Sequence, residues 1–170
     1  MSINEQDRMH GVVALRLWEA LSTELPEVNF SLKPGKSLSS YLLEGLLPKT
    51  LGKGNRVSAG LFIKVSNARR SPWRYTFALD HQKEILELQQ SCGEVFNCFV
   101  AGLDGIACLD YRSLKQILDE TFEEQEAVSI SRKPRENYRV SGNDGKLEKP
   151  LPKNVFPSSI VEYFKREFNL

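Results

Sequence analysis

Arg69, Arg70 and Arg74 lie close together in the chain, with Trp73 and Tyr75 interleaved. Guanidinium forks pair with phosphate oxygens and flat rings stack on bases, so this mixture suits a nucleic-acid backbone or unpaired bases. Solvated hairpin charges beside core aromatics would leave the same pattern. Arg132, Lys133, Arg135 and Arg139 surround Tyr138 and offer a second basic patch, with a solvated tail as the competing account. Lys64 ends an apolar run, where it could contact a phosphate or could simply snorkel to solvent from a strand.

Other chemistries find less support. Asp80 beside His81 pairs a carboxylate with an imidazole, but adjacent helix residues point apart, so Asp80 reads as a helix cap. Asp104 and Gly105 read as turn residues and Asp110 as a cap. The SGNDG segment, Ser141 to Gly145, lacks the acidic density of a calcium loop and reads as a turn. No Walker-type phosphate loop or GxSxG motif occurs, which leaves an NTPase or serine hydrolase without motif support. Cys92, Cys98 and Cys108 form no close pair and the only histidines are His10 and His81, so neither a disulfide framework nor a metal site is expected.

Composition narrows the partners. Lys and Arg total 23 against 22 Asp and Glu, a net charge of +1, so any nucleic-acid surface has to be local. A hydrophobic content of 41% over 170 residues supports a real core, and a single domain over residues 1–170 is expected. No apolar run approaches the ~18 residues needed to span a bilayer. The opening MSINEQDRMHGVVALRL has no basic stretch ahead of a continuous apolar one. A cytoplasmic protein with reduced thiols and no membrane partner is the expectation.

The elements that would position these residues follow from periodicity. Met9, Val13, Leu17 and Leu21 predict an amphipathic helix ending near Pro26. Ser37 reads as the N-cap of a second helix carrying Leu38, Tyr41, Leu42 and Leu46, so that helices occupy residues 5–47. Lys49 to Arg56 is a Gly- and Lys-rich connection. Val57 to Val65 predicts a buried strand, and Trp73, Tyr75 and Phe77 a second one returning antiparallel across an arginine-rich tip at Asn67 to Pro72. A helix capped by Asp80 and stopped at Gly93 leads to a buried strand at Val95 to Val100. This crossover implies parallel pairing. Ile106 to Leu109 continues after a turn, Asp110 caps a helix with Leu114, Ile117 and Leu118 inward, and Ala127 to Ser131 is a short strand. These close an α/β core over residues 57–131, built on a mixed central sheet flanked by helices. Residues 132–170 read as an exposed polar arm followed by a terminal helix capped by Ser158.

The segments GLFIKVSNARRSPWRYTF, DHQKEILELQQ and EVFNCFVAG, within residues 57–118, resemble the core of PD-(D/E)XK nucleases, especially archaeal Holliday junction resolvases and other restriction-endonuclease-like folds. That resemblance implies a restriction-endonuclease-like sheet and a site on the second core strand, where the family carries an acid, any residue and a lysine. Here those positions are Phe62, Ile63 and Lys64, so only the lysine is kept. Between Gly45 and Leu79 the chain has neither Asp nor Glu. Glu44 resembles the family's helix glutamate and Gln82 a glutamine on the helix after the second strand. Mg²⁺ is a hard cation that needs acidic oxygens beside the scissile phosphate. The resemblance therefore implies a nuclease-like domain without cleavage or cofactor. It would act as an accessory module binding DNA or RNA through Lys64, Arg69, Arg70, Trp73, Arg74, Arg132, Lys133, Arg135 and Arg139. One alternative is an active Mg²⁺-dependent nuclease using displaced carboxylates such as Glu44, Asp80 or Asp104. Another is a protein-interaction subunit, with a protein partner or a second copy docked on the arm and terminal helix.

Overall fold

The computed structural model describes residues 1–49 and 55–170. Helix α1, Glu5–Glu24, opens with a capping box in which Asn4 and Asp7 satisfy each other's backbone amides, and it buries Val13, Leu17 and Leu21. Strands β1 (Asn29–Pro34), β2 (Ser40–Leu47) and β3 (Asn55–Ser66) form an antiparallel meander. Strand β4, Trp73–Ala78, leads into α2, Leu79–Cys92, which stops at Gly93 in the left-handed conformation with φ 84°. β5 (Val95–Ala101) pairs parallel to β3, and β6 (Gly105–Leu109) pairs antiparallel to β5. After the short α3 (Tyr111–Leu114) come β7 (Gln125–Ser131), β8 (Arg139–Gly142) and β9 (Gly145–Lys146), and α4 (Val155–Phe168) closes the chain.

The strands make two sheets. The first has five strands in the order β1-β2-β3-β5-β6 and is mixed; the second has four in the order β4-β7-β8-β9. The expected α/β class with a mixed sheet flanked by helices is therefore present. Side chains of β3 and β5 alternate between two apolar layers. Leu61, Ile63, Phe96 and Cys98 pack with α1 and α4. Phe62, Val95 and Phe99 pack with α2 and the inner face of the second sheet, which contributes Trp73, Tyr75, Phe77, Val128 and Ile130.

Several expectations are corrected. The segment from Ser37 forms no helix: residues 40–47 are β2, paired with both β1 and β3. Its apolar residues, interrupted at Glu44 and Gly45, fit either period, and Gly45 belongs to the strand, since a Cβ there would lie 2.9 Å from the Phe30 ring. Of the Lys49 to Arg56 connection, residues 50–54 lie outside the described residues, while Asn55 and Arg56 begin β3. β4 makes no hairpin with β3. β2 takes one edge of β3 from Asn55 to Phe62 and β5 the other from Gly60 to Ser66, while β4 crosses to the second sheet and pairs with β7. Ala78, not Asp80, is the N-cap of α2, and Asn154 rather than Ser158 precedes α4.

The polar arm is also structured. Tyr138 and Val140 point inward while Arg139 and Ser141 face out, an alternation that high polarity hides, and Tyr138 bridges to Leu151. The Tyr138 hydroxyl donates to Asp104 Oδ2 at 2.7 Å from a fully buried ring. Replacing it by alanine leaves a ring-sized cavity and a carboxylate short of one donor. Tyr138→Ala is expected to destabilise the fold by about 3–5 kcal/mol in urea unfolding, whereas an unpacked arm would leave the midpoint unchanged.

Candidate functional site

Lys64 lies at the carboxyl end of β3, on the same face as Phe62. The β-pleat sends it toward the layer formed by β4 and α2. Its ammonium sits 4.8 Å from the centre of the Phe77 ring and 5.7 Å from that of Phe62. It donates to the Thr76 carbonyl and to His81 Nδ1, the latter at 2.9 Å. A charged lysine only donates, so His81 accepts at Nδ1 and carries its own proton on Nε2. Burial pushes the Lys64 pKa down to about 8, with Asp80 partly opposing the shift. Burial and then the Lys64 charge lower His81.

The carboxylates around this lysine have other work. Among the described residues none comes within ion-pair distance of Lys64, and Asp80 acts on it only at longer range. Glu84, one turn on from His81's neighbour Asp80, accepts from the Ser40 hydroxyl and from the Ser37 amide at 3.0 Å, tying α2 to the turn before β2. Glu44 stands opposite Ser58, midway along the β2–β3 pair, and is held at 3.0 Å by both Lys33 and Arg56. Those two hydrogen bonds lower its pKa. Asp104 accepts from Arg132 Nε at 2.8 Å and from Tyr138, and its carboxyl is lowered first by Arg132. The candidates Glu44, Gln82 and Lys64 are thus not brought together. Gln82 is 2% exposed and donates from Nε2 to the Glu123 carbonyl at 3.4 Å, toward the second sheet.

The basic candidates divide in the same way. Trp73 is 2% exposed and its indole N–H donates to the Ala68 carbonyl at 2.9 Å, so it is a core residue and not a stacking platform. Arg132 is committed to Asp104. Arg69 and Arg70 are exposed in the connection before β4, and Lys133 and Arg135 in the loop before β8. Register brings the remaining pair together. Arg74 stands opposite Ser129 and Arg139 opposite Ser131, both partners lying on β7, so the arginines share the outward face of the second sheet, two strands across and two residues along, at a separation of ~12 Å. Lys146, which the sequence did not single out, joins them opposite Ser141. A groove of about 300 Å³ runs between Ser129, Ser131, Arg139, Ser141, Lys146 and Glu148. Exposed guanidinium and ammonium groups among hydroxyls are equipped for phosphate oxygens without regard to base sequence.

A second cluster went unnoticed in the sequence: Asp119, Glu126 and Asp144 converge at the opposite end of β7. Its one legible signal is Glu126 itself, which falls on the inward phase of β7 with Val128 and Ile130.

No protein-family model, curated protein or solved structure matches the chain. The class of protein is accordingly defined by its mixed α/β architecture, and the likeness to PD-(D/E)XK nucleases rests on the residues quoted for it.

The Lys64 environment sets a titration. A lysine with a lowered folded-state pKa disfavours the fold while charged, and that penalty is relieved as pH rises through about 8 toward the unfolded value of 10.5. The urea midpoint of the wild type should therefore gain on that of Lys64→Met across this range. A pH-independent difference between the two would show that Lys64 titrates normally.

Proposed function

We propose that the chain is a nuclease-like accessory module that binds the phosphate backbone of DNA or RNA without cutting it. The supporting observation is the outward face of the second sheet, where Arg74, Arg139 and Lys146 stand among serines and form no ion pair among the described residues. Arg69 and Arg70 extend the cationic surface through the loop before β4. Lys64 plays a different part in this reading: it fastens β3 to β4 and α2, with its donors turned to Thr76 and His81. A metal-dependent nuclease centred on Lys64 would need paired carboxylates there, and Asp80 alone acts on it. Cys98 and Cys108 lie opposite each other on β5 and β6 as free thiols, which fits a reducing, cytoplasmic setting. No helix among the described residues is long and apolar enough to cross a membrane.

A protein-interaction role is the second reading, favoured by the outer face of α1, where Val12, Leu15 and Trp18 are exposed on one stripe. This surface differs from the terminal segment first considered for docking, since α4 buries Phe156, Ile160, Phe164 and Phe168 in the core.

Fluorescence anisotropy of duplex, branched and single-stranded DNA and of RNA against salt tests the leading reading. Affinity should fall steeply with salt, and Arg74→Ala and Arg139→Ala should each reduce the log–log salt slope by about one. No binding at low salt would remove the nucleic-acid role. Mg²⁺-dependent cleavage lost in Lys64→Ala would replace it with the nuclease reading. If the chain instead self-associates in sedimentation, and Trp18→Glu disperses it, the α1 stripe is the interface.

A further inference from the structure

Glu126 is an acid on the apolar side of a strand. It lies opposite Phe77 in the β4–β7 ladder, is 1% exposed, and neither of its carboxylate oxygens accepts a hydrogen bond from the described residues. A buried carboxylate left in this condition is strongly disfavoured unless something pairs with it. Two further carboxylates face it. Asp119 and Asp144 are exposed, and one ligand atom from each of the three residues lies within 4.8 Å of the others.

The surroundings orient this cluster. The Thr121 amide donates to Asp119 Oδ1 at 2.7 Å and the Asp119 amide to Asp144 Oδ2 at 2.8 Å. The second oxygen of each aspartate has no such donor among the described residues. The Asp144 amide in turn donates to the Ile117 carbonyl, and Asn143 Oδ1 accepts from the Ala127 amide, so the β8–β9 turn is fixed against β7. Gln82, itself buried, borders Glu126 and has an unpartnered Oε1. The nearest cation is Lys115, which the three carboxylates all influence. Its ammonium lies 4.8 Å from the Phe122 ring centre and donates to the Asp119 carbonyl, and it forms an ion pair with none of them. Three carboxylates held by a strand, a turn and a loop therefore converge with no ion-pair partner among the described residues.

The geometry points to a divalent-cation site in which Asp119, Glu126 and Asp144 supply carboxylate oxygens. The set contains no thiol or imidazole, so the ion is a hard one, Mg²⁺ or Ca²⁺, completed by water. Its position gives it a structural task, clamping β7, the β8–β9 turn and the segment after α3. This site lies away from Lys64 and does not depend on nucleic-acid binding. The competitor for it is a proton: burial first, then Asp144, pushes the Glu126 pKa up.

The test uses the full chain stripped with EDTA and titrated with CaCl₂, MgCl₂ or MnCl₂ by calorimetry and thermal unfolding near neutral pH. Saturable binding of one ion, with a Tm that climbs with free cation, is the expected result. Glu126→Gln should weaken it by about tenfold or more. Asp119→Asn, at an exposed position, provides a second arm should Glu126→Gln fail to fold: its Tm in EDTA should equal or exceed that of the wild type while the cation-dependent rise is lost. Two results would overturn the site. One is the absence of both binding heat and Tm shift at about 10 mM of every cation. The other is a Glu126→Gln protein that is as stable as the wild type and keeps the wild-type response to cations.

Discussion

β3 is hydrogen-bonded along both edges, antiparallel to β2 and parallel to β5, and much of the architecture follows from that pairing. β2 holds one edge from Asn55 to Phe62 and β5 the other from Gly60 to Ser66, and the chain leaving through Asn67 to Pro72 lays β4 in the second sheet, against β7. The strand is also apolar on both faces, with Leu61 and Ile63 on one and Phe62 on the other, and each face needs cover. Helices α1 and α4 cover the first. On the second, α2 is joined by Trp73, Tyr75, Phe77, Val128 and Ile130, a sheet's worth of inward side chains whose outward neighbours are left for solvent. The cationic face is thus a by-product of how the core is closed.

Lys64 marks the point where the buried part of β3 reaches the rim. Its two aromatic neighbours attract the ammonium, but the lowered pKa shows that loss of water outweighs them together with Asp80. At neutral pH the group still carries its charge. Two of its three donors are engaged, however, by a backbone carbonyl and an imidazole that hold three elements together. Arginines standing free on an open sheet face reach a phosphodiester with less reorganisation than this lysine does.

What could be read from the sequence was whatever depends on short-range pattern. The period-2 alternation of β4, the Gly93 stop and the Asp110 cap were legible, since each is set by a few adjacent residues; the crossover through α2 implied a parallel pair, but the parallel partner of β5 is β3 and not β4, the strand that feeds the helix. β2 was not, because SYLLEGLL satisfies a helical spacing and a two-sided strand alike and only pairing with β1 decides between them. β8 was not, because Val140 and the preceding Tyr138, the inward residues there, are set among polar and charged neighbours. Site residues followed the same division. Exposure of Arg69 and Arg70 was legible from the turn. The partnership of Arg132 with Asp104 was not, since nothing local links two residues so far apart in the chain.

Charge is nearly balanced overall, yet it is sorted along β7. The serine end of that strand lies between Arg74 and Arg139, while its first turnward residue on the inward side, Glu126, belongs to an acidic group that includes Asp119 and Asp144. Ser129 and Glu126 are three residues apart, about 10 Å along the strand, a distance comparable with the Debye length at physiological salt. An uncompensated acidic group there would oppose a phosphate backbone laid across the arginines. In the proposed scheme a divalent ion held by Glu126 would cancel most of that opposition, so filling the cation site would favour a polyanion on the other face of β7, and the polyanion would favour the ion.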